Sequence, residues 1–262
     1  MSQEQISYKI RKAKTRDIDQ LAKLAQKGYQ TSPVYSFVRT KAEQYQKDTV
    51  KSYREELRVL AANPKLKFDV LELNPGVDNN NSGKPTSQLT RWGKSENGGQ
   101  KMPRWRSNCK QCDSPIVGFA IWRLDSNSEK VQRSIWKKAK YGWVSVRAQL
   151  TSLVWKPRDT NPARAAKIGK LCDEVQRSFG EGSMELEQMV VHPKFQRQGY
   201  GTKLGREGLS IAGKEDLAVW VIATPMGVKL YESLGFCHEK DVETVDGDAR
   251  CSLAVQVWKV ED

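Results

Sequence analysis

The chain has 262 residues, of which 44 are Lys or Arg and 31 are Asp or Glu, a formal charge of +13. At 38% hydrophobic and 29% charged it reads as neither a membrane protein nor a wholly disordered one. No run approaches the ~20 apolar residues that span a bilayer, so no membrane partner is expected.

In chain order, Ile6–Lys14 alternates, with Ile6, Tyr8 and Ile10 on one side, and predicts a strand. Thr15 and Asp17 open a helix carrying Ile18, Leu21, Leu24 and Ala25 at helical spacing, which Ser32-Pro33 breaks. Thr40–Ala62 predicts a longer helix stopped before Pro64, and Phe68–Leu73 a strand. Pro75–Ser114 has no periodicity and carries Asn79-Asn80-Asn81-Ser82-Gly83 and Gly98-Gly99, so it predicts a polar loop. Ile116–Leu124 predicts a buried strand. Residues 126–180 predict a second insertion, with helical patches at Val131–Tyr141 and Ala163–Phe179. Strand, helix, strand and helix follow at Met184–His192, Gly199–Ala212, Ala218–Ala223 and Pro225–Leu234. Two strands, Phe236–Val245 and Cys251–Val260, close the chain around Asp246-Gly247. This order predicts an α/β (α+β) domain with a central mixed sheet, in one domain over 1–262 interrupted by the insertions 75–114 and 126–180.

Charge is uneven. Residues 75–180 hold 20 basic and 8 acidic side chains, whereas 181–262 hold 9 basic and 14 acidic. Trp92, Trp105, Trp122, Trp136, Trp143 and Trp155 share the basic segment. Basic residues interleaved with aromatics can stack on bases, or they form a solvated face with tryptophans packed beneath. No nucleic-acid-binding motif accompanies the charge, so the second reading is preferred and no specific nucleic-acid partner is expected. Five cysteines, odd in number and unevenly spaced, argue against a disulfide framework. Cys109-Lys110-Gln111-Cys112 has the spacing of half a zinc site, but no second pair exists and His192 and His238 are the only histidines. Free thiols and no metal are expected. Met1–Tyr8 is polar, with no h-region, so no secretory signal is expected. The expected compartment is the cytoplasm, with the nucleus as the alternative.

The most informative stretch is Met189–Gly205, MVVHPKFQRQGYGTKLG. A strand ends at His192-Pro193, and Gln196-Arg197-Gln198-Gly199-Tyr200-Gly201 leads into a helix. The backbone N–H groups of a first helical turn have no intrahelical partner, and the helix dipole favours negative charge there. Gly199 and Gly201 would let the backbone approach a phosphate, and Arg197 adds a positive charge. The pattern is neither a Walker loop nor a Rossmann turn. The alternative is a tight turn with incidental glycines.

Gln196-x-x-Gly199-x-Gly201 resembles the pyrophosphate motif Q/R-x-x-G-x-G/A of the GNAT superfamily of acetyl-CoA-dependent N-acetyltransferases. Ala223-Thr224-Pro225-Met226-Gly227-Val228-Lys229-Leu230-Tyr231-Glu232-Ser233-Leu234-Gly235-Phe236 resembles the family's A-S-P-x-G-x-x-L-Y-x-x-x-G-F, a form common in fungal members. Thr224 departs from the Asn often found there. The resemblance implies a mostly antiparallel mixed sheet, flanked by helices and splayed between Met184–His192 and Ala218–Ala223. It implies acetyl-CoA as cosubstrate, with the pantetheine arm on the edge of Met189, Val190 and Val191. The pyrophosphate would lie over Arg197–Thr202, with Gln196, Gln198, Gly199, Tyr200, Gly201, Thr202 and Thr224 also in the cofactor site.

Direct transfer within a ternary complex needs no enzyme nucleophile. It needs a base for the amine, a hold on the oxyanion and an acid for the leaving thiolate. Tyr231 resembles the family's acid, or is a core tyrosine. Glu185 and Glu187, two apart on one strand and so on one face, are candidates for the base. They could instead be exposed or paired with the basic insertions. The acceptor is expected to be a small-molecule amine, with a protein lysine or N-terminus as runner-up. A non-catalytic acyl-CoA-binding or nucleic-acid-associated module is the reading from another class.

Overall fold

The computed structural model describes residues 7–74, 115–124, 135–179 and 182–260. Seven strands form one sheet in the order β1-β2-β3-β4-β5-β7-β6. The strands are β1 (Tyr8–Lys12), β2 (Leu66–Leu73), β3 (Ile116–Arg123), β4 (Ser183–Val191), β5 (Ala218–Ala223), β6 (Cys237–Asp246) and β7 (Ala249–Trp258). Every pairing is antiparallel except β4 with β5. The mixed, mostly antiparallel sheet flanked by helices is the architecture the sequence predicted.

Composition explains the strand order. β3 is buried from Ile116 to Trp122 and lies inside the sheet between β2 and β4. β1 is short and largely exposed, and its Lys9, Arg11 and Lys12 suit an edge, where charge discourages pairing with another chain. The β6–β7 hairpin turns at Gly247, whose φ of 61° is costly for other residues.

Among the described residues, seven α-helices cover the two faces. On one face α1 (Ile18–Tyr29) buries Ile18, Leu21, Ala22, Leu24 and Ala25, the apolar stripe of a 3.6-residue period. Beside it, α3 (Gln46–Ala62) contributes Tyr53 and Leu57, and both helices pack with Phe119, Ile121 and Val190. Further along the same side, α2 (Pro33–Val38) and α5 (Pro162–Phe179) bring Phe37, Leu171 and Val175 against Trp220 and Cys251–Val257. The other face carries α6 (Tyr200–Lys214) and α7 (Pro225–Glu232), packed on Trp122, Met184, Leu186, Val219 and Val221. The remaining helix, α4 (Ile135–Val154), leaves Trp143, Leu150, Leu153 and Val154 exposed. A cavity of about 140 Å³ lies between α3 and α4, lined by Val59, Ala62, Val144 and Ala148.

Differences from the sequence reading have local causes. Pro33 ends α1 but also begins α2, because proline fits the first helical turn. The predicted helix from Thr40 starts at Gln46, after a run of turns. The patch ending at Tyr141 continues to Val154. Residues 126–180 are more than an appendage, since Leu171 and Val175 complete a core and buried Asp159 binds Arg39 at 2.6 Å and Thr49 at 2.8 Å. Of the tryptophans, Trp122 is core, Trp155 lies 4.0 Å beneath the Lys51 ammonium, and Trp143 is exposed. Cys109 and Cys112, with the whole of 75–114, lie outside the described residues. Among the described residues no group of three His, Cys, Asp or Glu could hold a metal ion, and no helix is long and apolar enough to cross a membrane.

Candidate active site

The parallel pairing of β4 with β5 is only three residues long, Ser183↔Ala218, Met184↔Val219 and Glu185↔Trp220. Beyond it, Leu186–Val191 stays paired to β3 and Val221–Ala223 to β7, while the two facing edges part. A β-bulge explains where they part. Leu186 lies opposite Trp122 and Gln188 opposite Ile121, so Glu187 is an extra residue. Bulges bend a strand and increase its twist, and this one follows the last β4–β5 pair. The splay predicted between these strands is present, and the backbone edge of Met189, Val190 and Val191 lies along it.

At the end of β4 the chain makes a 3₁₀ turn, Pro193–Phe195, and then the predicted glycine loop. Gly199 is the N-cap of α6 at φ 78°, and Arg197 is also left-handed at φ 62°. A non-glycine residue in that region is strained, and such strain concentrates at ligand loops. The glutamines shape this loop. Gln196 Nε2 donates to the Val191 carbonyl at 3.0 Å, and Gln198 Nε2 donates to the Lys194 carbonyl at 3.1 Å. Arg197 is exposed, whereas the Tyr200 ring is buried against Phe195. Gly201 serves helix packing: a Cβ there would sit 3.0 Å from Leu230 Cδ2 on α7. Thr202 is half-buried in the first turn of α6, and Thr224 is the N-cap of α7, at the end of β5.

Tyr231, on α7, is buried with its ring 5.6 Å from Phe236, and burial pushes its phenol well above the usual range. It therefore holds its proton at neutral pH. Glu185 and Glu187 share one face, as predicted, and share one partner. Arg123 Nε donates to Glu185 at 2.9 Å, and its Nη2 donates to Glu187 at 2.8 Å. The ion pair is thus made with β3, away from the insertions. Burial raises both carboxyls and Arg123 opposes it, with a net upward shift in each. Burial, reinforced by Glu185, also pushes the Cys172 thiol up to about 11, so it is no thiolate at neutral pH.

Residues 164–238, from α5 into β6, match the family model of the acetyltransferase (GNAT) domain. That span contains the splay, the glycine loop and Tyr231. Over those residues the chain carries the match to a GNAT acetyltransferase domain. A protein named acetyltransferase from the fungus Stachybotrys chartarum is 22% identical over 227 residues, 87% of this chain and 79% of that one. Among solved structures, a Corynebacterium glutamicum protein described as histone acetyltransferase HPA2 and related acetyltransferase superposes with a TM-score of 0.51. It has 13% identity over 96% of each chain, a likeness of fold alone. A PaiA N-acetyltransferase of Thermoplasma acidophilum, solved with coenzyme A, gives a TM-score of 0.49 at 13% identity, over 97% of this chain and 100% of that one.

Beside the splay lies a polar cluster that sequence patterning did not find. Gly28 lets α1 lie close on β4, since a Cβ there would meet Val190 Cγ1 at 2.2 Å. The next residue, Tyr29, donates its hydroxyl to Gln188 Oε1 at 3.3 Å. Gln188 Nε2 in turn donates to Glu56 Oε1 at 2.6 Å. Tyr29 also stacks on Tyr53, with ring centres 5.8 Å apart, and Arg39 covers Tyr53 at 4.5 Å. Burial pushes the Tyr29 phenol well up, and nearby Tyr53, Glu56, Tyr231 and Glu187 push it the same way. Burial in this recess raises the Glu56 carboxyl as well, with Glu187 adding to it, although part of the side chain meets solvent. The only sequence signal for this cluster was Gln188, directly after the two glutamates of β4.

Proposed function

We propose that the protein transfers the acetyl group of acetyl-CoA directly to the primary amine of a small-molecule acceptor within a ternary complex. One observation carries this reading. The parallel pairing stops after Glu185 and leaves an open β4 edge that runs straight to the N-terminus of α6. An extended arm with amide groups can complete that edge as another strand would, and a helix N-terminus suits the phosphates that follow the arm. Residues that fit acetyl-CoA are the backbone of Met189, Val190 and Val191 for the arm and of Gln198, Gly199, Tyr200, Gly201 and Thr202 for the pyrophosphate. The Arg197 side chain adds positive charge, and Thr224 lies beside the cleft. Gln196 acts by holding the loop to Val191.

In this mechanism the amine loses a proton on the carboxylate side of β4, where Glu185 and Glu187 stand. The nitrogen attacks the thioester carbonyl, and Tyr231 protonates the departing thiolate sulfur. A phenol held well above neutral pH stays protonated until the sulfur needs it, then recovers its proton from solvent. The overall positive charge disfavours a lysine-rich protein tail. The test is acetyl-CoA binding by calorimetry together with CoA release across a panel of primary amines and a lysine peptide. Binding with turnover of a small amine is expected. Faster turnover of the peptide, or no turnover, would overturn the reading.

A further inference from the structure

The base is the open question in that mechanism, and Glu185 and Glu187 are compromised for the role. Each already accepts from Arg123, so protonating either one weakens an ion pair. Glu56 differs in three ways. Its hydrogen-bond partner is a neutral amide, Gln188. It stays open to solvent, so an acceptor can reach it. It lies one helical turn after Tyr53, so the carboxylate and the Tyr53 ring share one face of α3, with the Tyr29 ring stacked alongside. The two rings stack on each other and Arg39 covers Tyr53, so what draws an ammonium group to this seat is the Glu56 carboxylate.

The bulge connects this seat to the splay. Gln188 follows the extra residue of β4 and reaches Tyr29 on α1 and Glu56 on α3 at once. The next residue along β4, Met189, begins the edge that the acetyl donor would line. Tyr231 adds to the upward shift of the Tyr29 phenol, which ties the recess to the acid side of the cleft.

We propose that Glu56, held by Gln188, is the carboxylate that receives the acceptor as a cationic primary amine beside the stacked Tyr29–Tyr53 pair and takes its proton. This rests on the acetyl-transfer reading above. The ammonium nitrogen gives one proton to Glu56, forms a bond to the thioester carbonyl carbon, and the carbon–sulfur bond then breaks. A second proton leaves the nitrogen to water, and Tyr231 supplies one to the sulfur and recovers it from water. The products are the acetamide, free CoA thiol and one net proton, which Glu56 passes to solvent.

The groups facing Glu56 are Gln188 and Glu187 on β4, Tyr29 on α1, Tyr53 on its own helix and Arg39 after α2. Burial raises the Glu56 carboxyl and Glu187 adds to it, while the Gln188 hydrogen bond and Arg39 lower it. The required form is the carboxylate, so kcat/KM should fall as pH drops through the raised Glu56 value. Glu187→Gln removes a negative neighbour and should move that acid limb to lower pH.

The experiment measures CoA release with an arylalkylamine, a polyamine, an amino sugar and a lysine peptide, from pH 5 to 9. For the best acceptor, Glu56→Gln should lower kcat/KM by about 10²-fold or more at pH 7. The deficit should shrink towards pH 9, where more acceptor arrives already neutral. Glu56→Asp should recover part of the loss, with acetyl-CoA affinity and Tm unchanged in both variants. A folded Glu56→Gln enzyme at the wild-type rate would overturn the assignment and leave the acetyl-transfer reading standing. So would a loss that does not vary with pH. Wild-type protein that binds acetyl-CoA yet acetylates no amine would overturn both.

Discussion

Gly201 separates two explanations of the glycine loop, a phosphate-hugging backbone and a helix contact. Its missing Cβ would lie 3.0 Å from Leu230 Cδ2 and 3.9 Å from Val191 Cγ2. Relaxed carbon–carbon contacts are about 3.5–4.0 Å, so alanine overlaps Leu230 by roughly half an ångström, which a flexible side-chain end can absorb. Gly201→Val adds two methyl groups beyond that Cβ and forces α6 and α7 apart by roughly 1 Å. An N–H that donates to a phosphate at about 2.9 Å would then sit well beyond hydrogen-bond range. Losing one hydrogen bond to a charged group costs about 1.5–3 kcal/mol, or about 10- to 150-fold in Kd. Gly199→Ala is the control, because its Cβ would meet nothing within 4 Å while φ is 78°. Its cost is the left-handed conformation, about 1–2 kcal/mol of stability. Calorimetry with acetyl-CoA on folded variants should show Gly201→Val weakened by at least tenfold. Thermal melts should show Gly199→Ala less stable. Wild-type affinity in a folded Gly201→Val protein would refute the argument that helix spacing sets the anion site.

The remaining predictions concern acid chemistry and charge. Tyr231→Phe keeps the packing on Phe236 and removes the hydroxyl, so kcat should fall about 10²–10⁴-fold with acetyl-CoA affinity and Tm little changed; wild-type turnover where chemistry is limiting would make it a packing residue. Arg123→Met strands two half-buried carboxylates and should cost at least about 1 kcal/mol at pH 7. Because both carboxyls are shifted upward and shift further without Arg123, that penalty should grow as pH rises above the unfolded-state value and vanish on acidification below it. A melting series from pH 4 to 8 showing a constant difference would contradict this. Any binding of DNA or RNA through the basic residues of 75–180 should fall steeply with salt, and sub-micromolar sequence-selective binding at physiological ionic strength would show a specific site.

What the sequence disclosed and what it hid divide along sequence distance. The run from β4 through α7 was readable because its signals are local: an alternating strand, a glycine pair before a helix, Pro225 at a helix start and Tyr231 six residues later. The same locality made Gly199 and Gly201 look alike, although one is required by φ and the other by Leu230 on a different helix. Glu185 and Glu187 were placed on one face by simple alternation, but their partner Arg123 lies 62 and 64 residues away. Tyr29 and Gln188 are 159 residues apart, and Gln188 and Glu56 are 132 apart. No periodicity in α1 or α3 marks those positions, since both helices are read by their buried stripes. The bulge is equally silent in one sequence, because Glu187 and Gln188 read as ordinary alternation.

The proposed acid and base lie on opposite faces of one sheet, and that arrangement would make the splay necessary. Tyr231 belongs to the apolar cluster under α6 and α7, whereas Tyr53 belongs to the cluster under α1 and α3. Tyr29, which packs with that second cluster, still senses Tyr231. A continuous sheet would put about 10 Å of packed side chains and backbone between such groups. Here β4 and β5 stop pairing after Glu185, so the faces meet through the gap. The bulge at Glu187 bends β4 away from β5 and opens an edge for an amide-bearing arm, while Gln188 beyond it stays opposite Ile121 and reaches both α1 and α3. Deleting Glu187 should restore plain alternation in β4 with Gln188 still opposite Ile121, and draw the open β4 edge back towards β5. The expected result is a folded protein that has lost acetyl transfer more completely than Glu187→Gln. Equal activity in the two variants would show that the bulge is incidental to the site.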